Sequence, residues 1–300
     1  MTNPDISILI PVYNSDRFIG QALASIDHYT ELSIEIIVIN DASTDLTFDI
    51  VSHLSKSDPR IVLVSNHRQK GIAGALNSGL DIAKGRYIAR FDADDLNRKD
   101  RFRSQFLFLE QHKHIQCCGG GYAAFNNLGT RITVHHPSNP IIIALRFVTN
   151  TYFCHPTTMM RREVFDHVSG YIDVEAEDFV FFSNVVYLFP CTNLPQILID
   201  YRESESNRSH KKAIEIARSV KHQARQNYIK YIENDRLFDV FFEYQHDRLL
   251  AISDLFSAML LNLRIIMNVR KRYTYSAFGL SFINAIFFSL IDPIRVLSKK

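Results

Sequence analysis

Three carboxylates within four residues are the part of this chain best suited to chemistry. Asp92, Asp94 and Asp95 directly follow the apolar run Tyr87–Phe91. Like charges this close repel one another unless a cation neutralises them, and hard carboxylate oxygens favour Mg²⁺ or Mn²⁺. The cluster therefore predicts a divalent metal, which could in turn hold a phosphate. The alternative is a solvated acidic turn that caps a helix starting near Arg98.

Short apolar runs alternate with helical patterns on the N-terminal side of this cluster. The predicted strands are Ile6–Ile10, Ile34–Ile39, Ile61–Val64 and Tyr87–Phe91, and the predicted helices between them are Phe18–Ile26, Thr44–Leu54 and Ile72–Ala83. Such alternation predicts an α/β fold with a mostly parallel sheet flanked by helices. Ser15, and then Ser43 or Thr44, stand where the first two helices need N-caps. Gly74 and Gly79 are expected to bring the third helix close to the sheet.

Polar residues follow all four predicted strands. They are Pro11–Asn14, Asn40 with Asp41, Asn66–Arg68, and the acidic cluster that begins at Asp92. An open parallel sheet binds its ligands at the carboxyl ends of its strands. Because four separate strand ends carry polar groups, the sequence predicts one shared binding crevice there.

Composition excludes several classes of protein. The chain has 300 residues, 46% of them apolar, and a net charge of +2 from 34 basic and 32 acidic residues. This is enough apolar material for a buried core, and it carries no field that implies nucleic-acid binding. The four cysteines lack CxxC spacing, and the N-terminus lacks a secretory signal pattern. We therefore expect a reduced, cytoplasmic protein.

Several segments, in order along the chain, resemble the family 2 glycosyltransferases. The segments are Ser7–Asn14, Ile36–Asp45, Ala75–Gly79, Gly85–Asp95, Arg101–Gln105, His155–Arg162, Gly170–Tyr171 and Ala176–Phe179. Within that family the chain is most similar to bacterial enzymes that extend lipopolysaccharide or lipooligosaccharide chains. The resemblance implies a glycosyltransferase-A catalytic domain over residues 1–210. Beyond it the residue pattern is helical, which predicts an α-helical C-terminal region over residues 211–300.

The resemblance also implies a reaction. A nucleotide-sugar, usually a UDP-sugar such as UDP-GalNAc, UDP-Gal or UDP-GlcNAc, would donate its sugar to a glycan or glycolipid acceptor with inversion at the anomeric carbon. Asp41 would accept from the uracil N–H, Asp92 would face the ribose or a metal-bound water, and Asp94 would ligate Mn²⁺ or Mg²⁺. The donor-binding residues expected in all are Pro11, Tyr13, Asn14, Asp41, Arg68, Asn77, Asp92 and Ala93. Arg68 and Arg90 are candidate contacts for the phosphates or the base, although an exposed arginine is more often only a solvated charge.

An inverting transfer needs a base that removes the acceptor proton. Glu177 and Asp178 match the family's Glu-Asp pair, so the resemblance makes Asp178 the expected base at the start of a helix. The alternative is that the pair only caps this helix and favours its dipole. Asp173 and Glu175 are rival bases.

The chain departs from the family after the last predicted strand. Relatives often have Tyr-Arg-x-His there, whereas this chain reads Tyr201-Arg202-Glu203-Ser204. Serine is a poor metal ligand, so phosphates and water, or else His155 or His210, would complete the metal's coordination. Residues 204–209 are expected to form a loop that closes over the donor.

The C-terminal region contains an apolar helical pattern. In Ala277–Ile291, 11 of 15 residues are apolar, and basic residues flank the segment. Fifteen residues are too few to span a bilayer. The pattern fits a helix lying on the anionic cytoplasmic face of the inner membrane, and it fits equally a helix packed on the catalytic domain or in a homodimer.

We therefore expect a metal-dependent glycosyltransferase of cell-surface glycan synthesis. One alternative class is a nucleotidyltransferase, which would normally show a Gly-rich, basic phosphate loop where this chain has Pro11–Asn14. The other is a catalytically silent sugar-binding or scaffold protein, which the missing histidine leaves open.

Overall fold

The computed structural model describes residues 3–29, 31–126, 129, 131–147, 151–203, 215–216, 218–223 and 226. Four strands form the N-terminal half of the sheet, and all of them are parallel, in the order β3-β2-β1-β4. They are β1 (Ile6–Val12), β2 (Ile34–Asn40), β3 (Ile61–Ser65) and β4 (Tyr87–Arg90). The predicted alternation of strands and helices is confirmed. Its helices are α1 (Ile19–Ala24), α2 (Thr47–Ser57) and α3 (Ile72–Ile82).

The predicted N-caps of α1 and α2 are wrong. No side chain caps either helix. Ser15 instead accepts from main-chain N–H groups ahead of α1 through its own carbonyl, and the backbone N–H of Asn14 donates to the Ser43 hydroxyl. The Thr44 N–H donates to the Asn14 side chain. Ser43 and Thr44 thus bond to the loop after β1, and the start of α1 is satisfied by the main-chain carbonyl of Ser15 and not by its side chain.

The C-terminal half of the sheet mixes strand directions. It contains β5 (Leu96–Asn97), α4 (Arg101–Gln111), β6 (Cys117–Phe125), β7 (Arg131–Val134), α5 (Pro140–Arg146), β8 (Met159–Arg161), α6 (Glu177–Leu188) and β9 (Cys191–Arg202). The sheet continues from β4 in the order β8-β6-β9-β5, with β7 beside β6. Strand β8 is antiparallel to both β4 and β6, whereas β6 and β9 run parallel.

The sheet is buried on both faces, as the nearly continuous apolar runs of its central strands require. Leu9, Ile37 and Ile39 belong to one buried cluster, and Ile8 and Val38 belong to the other. This division follows from the alternation of side chains along a strand. Helices α3 and α6 pack in the first cluster, and α1 and α4 in the second.

The two glycines of α3 have different reasons to be small. A Cβ on Gly79 would lie 2.9 Å from Ile39 Cδ1 and 3.1 Å from Leu9 Cδ2, so this residue lets the helix pack closely on the sheet as predicted. A Cβ on Gly74 would lie 1.7 Å from the carbonyl oxygen of Gln69. The expectation that Gly74 also faces the sheet is therefore wrong, because its close neighbour is the turn before α3.

Some predictions fall on residues that the structure does not describe. These are His210, the loop 204–209 and the apolar segment Ala277–Ile291. In the part of the chain that is described, no helix combines the length and the apolar character needed to cross a bilayer.

Candidate functional site

The loops that follow β1 and β2 are joined by reciprocal hydrogen bonds. The Asn14 N–H donates to Ser43 Oγ at 3.1 Å, and the Thr44 N–H donates to Asn14 Oδ1 at 2.8 Å. Asn14 and Ala42 both have left-handed backbones, with φ of 48° and 57°. Non-glycine residues hold this conformation only where their surroundings impose it, which is common at functional sites. These hydrogen bonds therefore hold the two loops together as one ordered unit.

Asp41, in the loop after β2, connects three strand ends. It is buried, and its own N–H donates to the Val12 carbonyl at 2.9 Å. Asn66 Nδ2 donates to Asp41 Oδ1 at 2.7 Å, and the Gly71 N–H donates to Asp41 Oδ2 at 2.9 Å. Each carboxylate oxygen has a second lone pair, so Asp41 can still accept from a ligand N–H. Asp41 thus joins the ends of β1, β2 and β3, where the sequence predicts a shared crevice.

The other residues predicted to contact the nucleoside are more exposed than Asp41. The Tyr13 side chain is half exposed, and the Lys70 ammonium lies 4.8 Å from its ring centroid. Arg68 makes two hydrogen bonds of 2.8 Å to Asp81, and this carboxylate raises the pKa of Arg68. Arg68 is therefore engaged at the surface in this structure, and its contact with a donor stays a prediction. Pro11 lies within β1 and is partly buried.

The acidic cluster lies at the end of β4 and is more buried than a solvated turn. Asp92 pairs with the buried guanidinium of Arg90. Burial first, and then the charge of Asp92, raises the pKa of Asp94 to about 6. Strand β5 separates the cluster from α4, whose N-cap residue is Asp100. The helix-cap alternative is therefore wrong. Ala93 is buried between these carboxylates.

Arg202, at the end of β9, is hydrogen-bonded to the acidic cluster although it lies far from it in the sequence. Its N–H donates to Asp95 Oδ1 at 2.9 Å, and its Nε donates to the Asp94 carbonyl oxygen at 2.9 Å. Asp95 is fully buried, and burial together with its acidic neighbours raises its pKa. Sequence reasoning missed this role of Arg202. The available signal was the Tyr-Arg pair that ends β9.

The donor set at this end of β4 fits a hard divalent cation. Among the described residues, no group of three or more His, Cys, Asp or Glu is arranged to hold a metal. Mg²⁺ commonly takes only one or two carboxylates and completes its shell with water and substrate phosphates. Asp92 and Asp94 could supply such a pair, and a cation would relieve the burial and the repulsion by Asp92 that raise the pKa of Asp94.

His155 is engaged inside the protein. It is buried, and its Nε2 lies 3.0 Å from the Tyr171 hydroxyl. Burial first, and then the charge of Arg90, lowers the pKa of His155 well below its usual value. The imidazole is thus neutral in the folded protein at neutral pH. Its Nε2 already faces Tyr171.

Asp178 lies in the first turn of α6, as predicted. Its Oδ1 accepts from the Phe179 N–H at 2.8 Å, and the side chain is partly exposed. Burial raises the pKa of Tyr171, and the charges of Arg90 and Asp178 both act on that pKa. The Tyr171 ring also stacks on Phe181 of α6, with centroids 4.3 Å apart. That Asp178 and the acidic cluster belong to one site stays a prediction. Asp173 accepts a hydrogen bond from the Gln69 side chain.

Asn77 is used differently from the expectation. Its Nδ2 donates to the Tyr171 carbonyl at 2.7 Å, and its Oδ1 accepts from the Tyr171 N–H at 2.9 Å. The amide thus serves the main chain before α6. A contact between Asn77 and a donor stays a prediction.

Comparison with known proteins identifies the family. Residues 7–169 match the family profile described as Glycosyl transferase family 2, which is more than half of the chain. The chain belongs to glycosyl transferase family 2. The match extends from β1 through β8 and includes the crevice and the acidic cluster.

Two named glycosyltransferases are similar to part of the chain. The putative glycosyltransferase EpsE of Bacillus subtilis is 36% identical over 176 residues, which cover 58% of this chain and 62% of EpsE. The Escherichia coli UDP-Glc:alpha-D-GlcNAc-diphosphoundecaprenol beta-1,3-glucosyltransferase WfaP is 42% identical over 108 residues, covering 36% of this chain and 42% of WfaP. The chain thus spans less than two thirds of the length of both relatives.

Solved structures show the same fold. The S. aureus TarS fragment 1-349 in complex with UDP-GlcNAc superposes with a TM-score of 0.62 at 17% identity. The alignment covers 97% of this chain and 89% of that one. The family 2 chain described here therefore has the glycosyltransferase-A fold.

Proposed function

We propose that this protein transfers a sugar from a UDP-sugar to a glycan or glycolipid acceptor during the assembly of cell-surface polysaccharide. The observation that carries the proposal is the arrangement at the strand ends. A buried Asp41 held at the ends of β1, β2 and β3 lies on the same sheet edge as the carboxylates that follow β4. UDP-GlcNAc in TarS and the UDP-Glc donor in WfaP's name support a uridine donor.

The proposed roles divide the site in two. Asp41 accepts a hydrogen bond from the ring N–H of the donor's uracil, beside Pro11, Tyr13 and Asn14. Asp94, with Asp92 and the cluster around it, holds Mn²⁺ or Mg²⁺. When bound, this ion stabilises the charge that develops on the departing diphosphate.

Asp178 is the proposed base. The acceptor oxygen attacks the anomeric carbon from the face opposite the diphosphate, and the new C–O bond forms as the bond to the leaving phosphate oxygen breaks. The acceptor's proton passes to the Asp178 carboxylate, and inversion follows from the opposite-side attack. The partly exposed position of Asp178 at the start of α6 supports this role, because an acceptor hydroxyl must reach it.

Two other classes remain to be tested against this proposal. A nucleotidyltransferase would bind phosphates with a Gly-rich, basic loop after β1, whereas here the loop is Pro11–Asn14 and Asn14 is bonded to Ser43. A silent sugar-binding relative would bind donor without releasing UDP. A protein of either class would not transfer a sugar to an acceptor.

A UDP-release assay over a panel of UDP-sugars, with Mn²⁺, Mg²⁺ or EDTA, tests the proposed metal-binding role of Asp94. We expect Asp94→Ala to lower metal-dependent release at least about 100-fold, since removing one group that stabilises developing charge commonly costs this much. Asp49→Ala, at an exposed carboxylate on α2, is the matched control. Full activity and an unchanged metal response in Asp94→Ala would refute the metal role.

The base is tested by Asp178→Asn. We expect unchanged donor affinity, measured calorimetrically, with transfer reduced about 100-fold or more because general-base catalysis is lost. Asp166→Asn, at an exposed carboxylate before α6, is the control and should transfer normally. Undiminished transfer by Asp178→Asn would remove Asp178 as the base.

A further inference from the structure

We infer that Asn77 is a positioning residue, which fastens the segment carrying Asp178 to the donor side of the site. Residues 170–176 form this segment, called here the strap, and it leads directly into α6. The inference rests on the proposed function for what the positioning achieves. The fastening itself rests on contacts in the structure alone.

The first fastening is the pairing of Asn77 with Tyr171. One side-chain amide donates to the carbonyl of Tyr171 at 2.7 Å and accepts from its N–H at 2.9 Å. It thereby satisfies both main-chain groups of one residue, as a neighbouring strand would. Gly170 makes this approach feasible, since its φ is 83° and a Cβ there would lie 2.5 Å from Asn77 Oδ1. The strap is therefore shaped to receive this amide.

The second fastening lies nearer the donor pocket. Gln69 Nε2 donates to Asp173 Oδ2 across 104 residues of sequence. Two residues after Gln69, the Gly71 N–H donates to Asp41 at 2.9 Å and starts α3. The start of α3 thus contacts Asp41, the carboxylate proposed to bind the uracil of the donor, while Asn77 on the same helix holds the strap.

Tyr171 transmits the position of the strap to α6. Its ring stacks on Phe181 with centroids 4.3 Å apart, and its hydroxyl is bonded to His155. Phe181 follows Asp178 by three residues, so it lies about one turn further along the same helix. The strap ends at Ala176, whose φ of 62° is unusual for alanine and is held by this packing.

The consequence is a specific kinetic signature. Without the Asn77 amide, the main chain of Tyr171 loses both partners, and the start of α6 becomes less well placed against the acceptor. Small misplacements of a reacting group can cost about 100-fold in rate. We expect Asn77→Ala to lower kcat at least tenfold while the donor KM changes less than threefold.

Hydrogen exchange read by mass spectrometry tests the fastening without reference to activity. In the full chain, Asn77→Ala should exchange faster than wild type over residues 170–180, with β1 and β2 unchanged. Asn77→Asp is a near-isosteric second variant, which keeps the acceptor for the Tyr171 N–H but replaces the donor to the Tyr171 carbonyl with an oxygen, so it should also exchange faster than wild type. Asn139→Ala is the matched control, because it also removes an asparagine-to-backbone bond, from Ile142 N–H to Asn139 Oδ1.

The outcomes separate the alternatives. Faster exchange with reduced kcat and unchanged donor KM supports the inference. Unchanged exchange over residues 170–180 in both Asn77 variants overturns it, as does a raised donor KM with unchanged kcat, which would make the amide a donor contact. Equal kinetic losses in Asn139→Ala would also overturn it. A wild-type protein that releases no UDP from any donor would refute the proposed function, and the exchange comparison would still decide the fastening.

Discussion

The three carboxylates of the acidic cluster differ because each has a different partner. Asp92 is paired with Arg90, and Asp95 accepts from the Arg202 N–H inside the protein. The main-chain carbonyl of Asp94 accepts from Arg202 Nε, and burial first and then the charge of Asp92 raise the pKa of its carboxyl to about 6. A bound cation would relieve this cost, which supports the metal role proposed for Asp94.

The substitution Tyr171→Phe tests the buried hydrogen bond between Tyr171 and His155. The change removes the hydroxyl and leaves the imidazole Nε2 buried without this partner. We expect a loss of about 1–2 kcal/mol in the free energy of unfolding, measured by urea titration, because a buried polar group pays its desolvation cost when unpaired. Tyr13→Phe, at a half-exposed ring, should change stability by less than about 0.5 kcal/mol. Equal stability of Tyr171→Phe and wild type would contradict this reading.

Among the elements, the helices show that placement and capping are separate matters. Helices α1 and α2 form where the apolar periodicity predicts them, yet neither uses the serine or threonine expected as its cap. The Ser43 and Thr44 side chains instead bond to Asn14 and so join the loops after β1 and β2, whereas the Ser15 hydroxyl donates to the Tyr13 carbonyl. Packing of the apolar faces against the sheet is therefore sufficient to place these helices.

Helix α4 is tied to β4 by one carboxylate, which gives a pH-dependent prediction. Glu110 accepts from the Tyr87 hydroxyl at 2.7 Å and from Arg86 Nη1 at 3.1 Å, and it pairs with Lys113. The Lys113 hydrogen bond first, and then that of Tyr87, lowers the pKa of Glu110 from 4.5 to about 2. Because the folded pKa is below the unfolded one, this stabilisation is complete above pH 4.5 and is lost as pH falls through about 2.

We therefore expect Glu110→Gln to cost about 1 kcal/mol at pH 7, the upper end for a partly exposed ion pair. The difference from wild type should shrink as pH falls from 5 to 2, when followed by thermal unfolding at several pH values. Glu163→Gln, at an exposed glutamate, is the control. A Glu110→Gln deficit that stays constant down to pH 2 would show that the carboxylate charge is not responsible.

For the whole molecule, the sequence predicts either a membrane-surface contact or a packing contact for the C-terminal region. The apolar segment Ala277–Ile291 and its basic flanks belong to residues that the structure does not describe. If the segment is a membrane anchor, deletion of residues 278–300 should release the protein from anionic phospholipid vesicles in a sedimentation assay, because an interfacial helix contributes apolar burial and charge attraction together. Neutral vesicles are the control surface. Vesicle binding that survives the deletion would favour a helix packed against protein.

The sequence by itself determined the parallel half of the fold and the acidic end of β4. Strands β1 to β4 and helices α1 to α3 were predictable because their apolar periods are local, and local patterns report on burial directly. The polar residues after each strand could be assigned to one crevice because parallel strands end at a common edge. Asp41 and Asp92 were found in this way.

Only the tertiary structure decided which residues support the site. Arg202 reaches Asp95 across 107 residues, and Asn77 reaches Tyr171 across 94. The mixed directions of β5 to β9 likewise depend on pairings between distant segments. Such contacts leave no periodic pattern along the chain, because their partners are brought together by the packing of the sheet and helices. The chemistry of the site could therefore be read from neighbouring residues, whereas its positioning required the folded molecule.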